Sequence, residues 1–202
     1  MDYASHAVAA TLPVHPVSPL YDPIQAQTLA YGPEEAVAQL ESLRVLGRSI
    51  TLLVNSENSA KAAAAQRIAY QLESAGMDVT LNKLAFEDYA AALAAGNYYL
   101  YLGEVVLTAD FDMSPLLSSA GSLNYGRWQD GQADLLLSAM TASSGDVRNT
   151  AAGTLFTYLN EHAPIAPIAF KNGSVLTQWG RLSGLSPVRG NVFYQLENWI
   201  IQ

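Results

Sequence analysis

Apolar and polar positions follow one another along the chain in a pattern that predicts strands and helices in series. Short apolar runs bounded by turn residues are typical of buried strands, and longer segments with apolar positions three or four apart are typical of helices. The first half of the chain fits three strands, 49–54, 77–81 and 98–102, separated by helices over 58–74 and 86–95. This order predicts a mainly parallel or mixed sheet flanked by helices, an α/β fold with right-handed crossovers.

Capping residues predict where these helices begin and end. Pro33 suits the first turn of a helix that we expect to run to Gly47, where a glycine can cap the carboxyl end. Asn58 or Ser59 is expected to begin the next helix, because short polar side chains accept hydrogen bonds from free backbone N–H groups there. Gly96 is expected to stop the helix that precedes the third strand.

The second half of the chain is more helical. The pattern predicts helices over 132–142 and 146–162 and strands over 165–170 and 175–179. The tail 191–201 is extended and apolar and ends without a polar cap. We expect such a tail to dock onto another surface.

Closely spaced prolines mark the first 32 residues as a separate segment. Pro13, Pro16, Pro19 and Pro23 favour extended or turn backbone over helix. We therefore expect residues 1–32 to form a lead-in that lies as an arm on a surface or belongs to a larger fold. Residues 33–202 are expected to form one α/β domain.

Composition and charge exclude several classes of function. The chain has 202 residues, of which 50% are hydrophobic and 14% charged, so we expect a folded globular protein. Its formal net charge is −8, and no cluster of Lys and Arg offsets it locally, which argues against nucleic acid as a partner. No apolar run reaches the roughly 18 residues that a membrane span needs. The first residues lack the basic leader of a signal peptide, so either the protein stays in the cytoplasm or its export signal is missing from the sequence.

The sequence does not predict a metal site, a cofactor or an enzyme. There is no cysteine, and the three histidines are scattered at His6, His15 and His162, too far apart in sequence for a persuasive zinc site. The common nucleotide-binding and hydrolase motifs are absent. One alternative remains, in which Asp110 and Asp112 act as the general acid and base of a hydrolase.

The most informative segment follows the third predicted strand. It concentrates the acids Glu104, Asp110 and Asp112 and ends in a polar stretch that reaches Tyr125. In open α/β sheets, ligands bind outside the carboxyl ends of the strands. These residues are therefore candidates for a binding site, and Trp179, at another predicted strand end, is a further candidate. The alternative is an ordinary solvated loop.

An ordered set of short motifs resembles a known family. The set comprises Asn55-Ser56, Gly76-Met77-Asp78-Val79, Tyr89, Gly96-Asn97-Tyr98-Tyr99-Leu100, Asn124-Tyr125-Gly126, the segment 163–168 and the helix start Tyr31-Gly32-Pro33-Glu34-Glu35-Ala36. Over most of residues 18–202 it resembles the carboxyl-terminal lobe of extracellular solute-binding proteins of family 5, the peptide- and nickel-type receptors of bacterial ABC importers. No single motif is specific, but their order is.

The resemblance implies a periplasmic-binding-protein type II lobe that closes over its ligand with a first lobe of the same protein. Residues 1–32 and the tail would then cross toward that lobe. The implied ligand is a peptide or another small amine-bearing molecule, and the implied partner is an ABC permease in the membrane. The full-length protein would be exported to the periplasm or the extracellular face, with a lipid anchor. A sensory module of a transcriptional regulator is the alternative that the resemblance leaves open.

The resemblance also ranks the candidate residues. In peptide-binding relatives, an acid in a loop after the third strand pairs with the amino group of the peptide. Ala109-Asp110-Phe111-Asp112 is the matching segment, so Asp110 leads Asp112 and Glu104. This sequence departs from the pattern in a longer loop after Gly103, and in Met113, which replaces a proline.

Overall fold

The fold is α/β, with parallel and antiparallel strands and flanking helices, in a computed structural model that describes residues 7–27, 32–172, 177–186 and 191–202. Its elements, in chain order, are β1 (Ala7–Ala9), α1 (Pro23–Gln27), α2 (Pro33–Ser42), β2 (Ser49–Asn55), α3 (Ser59–Ser74), β3 (Asp78–Leu84), α4 (Phe86–Ala95), β4 (Leu100–Leu102), α5 (Ser114–Leu117), α6 (Gly131–Ala142), α7 (Gly145–His162), β5 (Ala169–Lys171), β6 (Leu182–Ser183), a 3₁₀ turn (Leu196–Asn198) and β7 (Ile200–Ile201). The predictions that involve His6 and Tyr31 lie outside the described residues.

The predicted parallel sheet is confirmed. Strand β2 lies in the centre, with β3 on one side and β4 on the other, and both pairings are parallel. Helices α3 and α4 form the crossovers that parallel neighbours require. Strand β4 is shorter than predicted, and it lies at an edge of the sheet, where Tyr99 is 66% and Leu100 42% exposed. The expectation that 98–102 is a buried strand is wrong for these two side chains.

Both faces of the central strand are buried, which explains its nearly continuous run of apolar residues. Leu52 and Val54 lie on one face and pack with α3. Leu53 lies on the other face and packs with Tyr89 and Leu93 of α4. Successive side chains of a strand point to opposite faces, so this alternation places one helix on each side of the sheet.

A second core lies outside this sheet and involves the proline-rich segment. Helices α5, α6 and α7 bury Met113, Leu137 and Phe156 together with Leu12 and Val14, both of which have no exposed surface. Of the two expectations for this segment, the arm lying on a surface is therefore wrong, and the part of a larger fold stays a prediction. Prolines are disfavoured in the interior of a helix, but they allow extended backbone, and extended backbone can carry apolar side chains into a core. Strand β1 also pairs antiparallel with β5.

Helix ends follow the predicted caps with one exception. The Asn58 side chain accepts a hydrogen bond from the backbone N–H of Lys61 at 3.0 Å, and Gly96 adopts φ 77° after α4, so both caps are confirmed. Helix α2, however, ends at Ser42, so its predicted extension to Gly47 is wrong. Gly47 instead adopts φ 71° in the turn that leads into β2, where its N–H donates to the carbonyl of Gly76 at 2.8 Å.

The predicted strands near the end of the chain are shorter than expected. Of 165–170, only the last part forms β5, and 177–179 are not strand, while 175–176 lie outside the described residues. The tail forms a two-residue strand that pairs with β6. Most of its apolar side chains are exposed, with Phe193 at 65% and Ile201 at 83%. That the tail docks onto another surface stays a prediction.

Candidate functional site

The candidate site is the segment that joins the two cores, residues 103–113, which we call the acidic loop. It begins at the carboxyl end of β4, where the parallel sheet ends, and it ends at the start of α5 in the helical core. It contains Glu104, Asp110 and Asp112. The position matches the edge of a parallel sheet at which ligands bind in open α/β folds.

Apolar side chains anchor the acidic loop. Met113 is 1% exposed in the helical core, and Leu107 and Phe111 pack against the same core. The ring of Phe111 also meets that of Phe170 edge to face, with centroids 5.9 Å apart. The loop is therefore held in place by packing at three points, and its acids project from a supported backbone.

A local turn positions Asp110 between these anchors. The backbone N–H of Phe111 donates to the carbonyl of Thr108 at 3.0 Å, and the N–H of Asp112 donates to the Thr108 hydroxyl at 3.2 Å. Phe111 adopts φ 55°, a left-handed conformation that costs a residue with a side chain about 1–2 kcal/mol. Its half-buried, packed ring and the turn offset that cost and fix the backbone on both sides of Asp110.

Glu104 is engaged by two lysines. Its carboxylate lies 3.0 Å from the ammonium of Lys61, in the first turn of α3, and 2.8 Å from that of Lys171 in β5. The hydrogen bond from Lys171, and after it the hydrogen bond from Lys61, hold the pKa of Glu104 below its ordinary value. Glu104, Lys61 and Lys171, which we call the Glu104 cluster, together carry one net positive charge. Glu104 therefore links the sheet edge to two neighbouring elements and is poorly suited to bind a ligand's ammonium.

Asp112 shapes the loop. One of its carboxylate oxygens accepts a hydrogen bond from the backbone N–H of Ser114 at 2.9 Å, where α5 begins. The first N–H groups of a helix have no partner within the helix, so a carboxylate at this place satisfies one of them. The side chain is half-buried. Asp112 therefore fixes the backbone where the acidic loop enters α5.

Two acids of the loop form ion pairs, Asp110 and Glu104, and Asp110 has the more exposed side chain. Its side chain is 57% exposed, against 38% for Glu104. A side-chain hydrogen bond from Thr108, assisted by the nearby positive charge of Arg148, holds the pKa of Asp110 below its ordinary value. At neutral pH, the loop therefore carries an ionised carboxylate that faces solvent from a fixed backbone.

The other two candidates lie elsewhere. Tyr125 belongs to a cluster of tyrosines: its ring lies 6.5 Å from that of Tyr101, and its carbonyl accepts a hydrogen bond from the Tyr98 hydroxyl at 2.6 Å. Trp179 lies in a turn and is 97% exposed. The contacts described for the acidic loop include neither residue. Their role in ligand binding stays a prediction.

The same tyrosine cluster supports the strand that carries the loop. The hydroxyl of Tyr89 donates to the carbonyl of Leu102, the last residue of β4, at 3.1 Å. Burial raises the pKa of Tyr89 to about 12. This hydroxyl stays protonated at any physiological pH and remains a hydrogen-bond donor.

Sequence reasoning missed the basic residues of the site, Lys61, Lys171 and Arg148. A signal existed for two of them. Lys61 and Arg148 lie in the first turns of α3 and α7. A cation is unfavourable at the amino end of a helix because the partial charge there is positive. A basic residue at such a position indicates a nearby acid or carbonyl partner.

Within the described ranges, no group of three or more His, Asp or Glu side chains could hold a metal ion. In the same ranges, none of the helices has both the length and the apolar character needed to cross a bilayer.

Comparison with known proteins gives one family match and a group of similar structures. The family model of bacterial extracellular solute-binding proteins, family 5 Middle, matches residues 2–157. The chain is similar to the murein tripeptide binding protein MppA of Escherichia coli, with 26% identity and a TM-score of 0.71 over 90% of this chain and 38% of that one. It is similar to HbpA2 from Haemophilus parasuis, with 19% identity and a TM-score of 0.79 over 99% of this chain and 41% of that one.

A third similar structure holds a ligand. It is the oligopeptide-binding protein AppA of Bacillus subtilis in complex with a nonapeptide, with 17% identity and a TM-score of 0.69. The match covers 98% of this chain and 43% of that one. The chain thus spans less than half the length of these structures. No curated protein matches it significantly.

Proposed function

Because the chain belongs to the bacterial extracellular solute-binding proteins of family 5, we propose that it forms one wall of a ligand-binding cleft. The observation that carries this proposal is the Asp110 carboxylate. It is open to solvent and ionised, and it lies on a loop anchored by buried side chains beyond the carboxyl end of a parallel strand. A rigidly held acid suits a binding role, because little order has to be gained when the ligand arrives.

The ligand we propose is a peptide or another small molecule with a free ammonium group. Asp110 would pair with this ammonium, while Glu104 and Asp112 keep their structural partners. A hydrogen bond that involves charged groups contributes about 1.5–3 kcal/mol, enough to orient a ligand. Two of the similar structures support a peptide, since they are described as a tripeptide-binding protein and as a complex with a nonapeptide.

The rest of the binding machinery is also part of the proposal. The matched structures are more than twice as long as this chain, and we propose that a first lobe closes over the ligand by a hinge motion. The two-lobed protein would be exported to the periplasm or to the extracellular face of the membrane, carry a lipid anchor, and deliver its ligand to an ABC permease. It would bind its ligand without converting it. Tyr125 and Trp179 are proposed as further ligand contacts.

The first test is the variant Asp110→Asn in the complete two-lobed receptor. Calorimetry with trialanine should show about a 10- to 100-fold loss of affinity, since the charge-assisted bond is removed and the shape of the side chain is kept. N-acetylated trialanine, which has no ammonium, should bind the variant and the wild-type protein equally. Glu73→Gln, an exposed site near the end of α3, is the matched control and should change neither affinity. Equal trialanine affinity of Asp110→Asn and the wild-type receptor would rule out Asp110 as the amine partner.

A further inference from the structure

One arginine lies between the acidic loop and the two large helices. Arg148 is in the first turns of α7, and its side chain is only 15% exposed. Its guanidinium donates from Nη1 to the carbonyl of Met140 at 3.0 Å and from Nη2 to the carbonyl of Asp110 at 2.6 Å. The same Nη2 lies 3.7 Å from a carboxylate oxygen of Asp110.

These distances show how the donors of Arg148 are used. The two short hydrogen bonds go to backbone carbonyls, and the distance to the carboxylate of Asp110 is too long for a hydrogen bond. The guanidinium therefore fixes the main chain at Asp110 and leaves the carboxylate oxygens accessible to another donor. A rigid fork with several N–H groups can hold two carbonyls at once, which a single ammonium does poorly.

The position of Arg148 is unfavourable unless it has these partners. A cation at the amino end of α7 meets the positive end of the helix dipole. The carbonyl of Met140 belongs to the last turn of α6, where it accepts only a long bond of 3.4 Å from the Ser143 N–H and where a cation is favourable. Arg148 thus joins the end of α6, the start of α7 and the acidic loop through one partly buried side chain.

We propose that Arg148 is the positioning residue of the ligand-binding acid. It holds the backbone of Asp110 in place, while leaving the carboxylate to the ammonium of the ligand. This inference rests on the proposed function of Asp110. It means that Arg148, a residue outside the acidic loop, determines the position of Asp110.

The proposal predicts different results for two variants of the 202-residue chain. Arg148→Gln removes both the positive charge and the two guanidinium donors. Amide exchange at Phe111 and Asp112 should therefore accelerate at least about tenfold, as expected for loss of a charge-assisted hydrogen bond. The pKa of Asp110, followed by carbon NMR, should rise. Arg148→Lys keeps the charge, so it should accelerate exchange in the loop while the pKa of Asp110 stays low. If Arg148 only supported packing, the two variants would not differ in their effect on the pKa of Asp110 while both accelerate amide exchange in the loop.

Controls make the result interpretable. Arg67→Gln, at an exposed site on α3, should change neither readout. Unchanged amide exchange in β2 would show that each variant is folded. A folded Arg148→Gln whose loop exchanges at the wild-type rate would overturn the proposal.

Binding to trialanine connects this inference with the proposed function. In the complete receptor, Arg148→Gln should weaken trialanine binding about tenfold, and in an Asp110→Asn background it should cause no further loss. An equal loss in both backgrounds would overturn the positioning role. If Asp110→Asn alone leaves trialanine binding unchanged, the proposed function fails, while the exchange and pKa results, which need no ligand, still stand by themselves.

Discussion

At the scale of single residues, the three acids of one short loop have three different environments. Glu104 is paired with two lysines, Asp112 accepts the first N–H of a helix, and Asp110 keeps an open carboxylate. A sequence reports only that all three are acids near a predicted strand end. Their partners lie 43 to 67 positions away for Glu104 and 38 positions away for Asp110, so the difference between them depends on tertiary contacts.

The Glu104 cluster should make stability depend on pH. Its pKa is lowered in the folded state, so the contribution is present above the ordinary value of about 4.5 and is lost as the pH falls through the folded value. In urea unfolding, the free energy of unfolding of the wild-type chain should therefore fall by about 0.2–1 kcal/mol more than that of Glu104→Gln as the pH falls through this range. The difference is modest because the ion pairs are partly exposed. Glu73→Gln should retain the wild-type dependence. An identical acid profile for Glu104→Gln would show that the lysines contribute nothing measurable.

At the scale of elements, local patterns predicted the central part of the fold well and the edges poorly. The run 49–54 and the caps at Asn58 and Gly96 predicted β2, α3 and α4, because these elements are specified by side chains close in sequence. The run 98–102 was predicted as a buried strand, yet only three residues pair, and its outer side chains meet solvent. Whether a strand is central or lies at an edge is decided by its neighbours, which the pattern does not report.

The acidic loop was predicted from its acids, but the reason for its rigidity was not. Met113, which takes the place of a proline in the family pattern, is one of the largest fully buried side chains. We expect Met113→Ala to lower the free energy of unfolding by about 2–5 kcal/mol, because it leaves a cavity in the helical core. Leu135→Ala, on the exposed face of α6, is the control and should cost about 0.5 kcal/mol or less. Similar costs for the two variants in urea unfolding would mean that the loop is not anchored through Met113.

At the scale of the whole molecule, the acidic loop joins a sheet core to a helical core. The helical core includes Leu12 and Val14 from the proline-rich segment, for which an arm on a surface was one of the two expectations. Periodicity could not reveal this, since a short extended segment with prolines has the same local pattern whether it is buried or exposed. The family, by contrast, was recognised from the order of weak motifs, and the family model confirms it.

The central claim is that this chain supplies one wall of a cleft and that a second lobe supplies the other. A single wall encloses little of a ligand, and affinity depends on enclosure and on the exclusion of water from the charged pair. The most direct test is isothermal titration calorimetry of trialanine against the 202-residue chain and against the complete two-lobed receptor. We expect the chain alone to bind more weakly than about 1 mM and the complete receptor to bind with a Kd of about 1 μM or tighter, a difference of at least about 4 kcal/mol. Micromolar binding of trialanine by the chain alone would contradict the account.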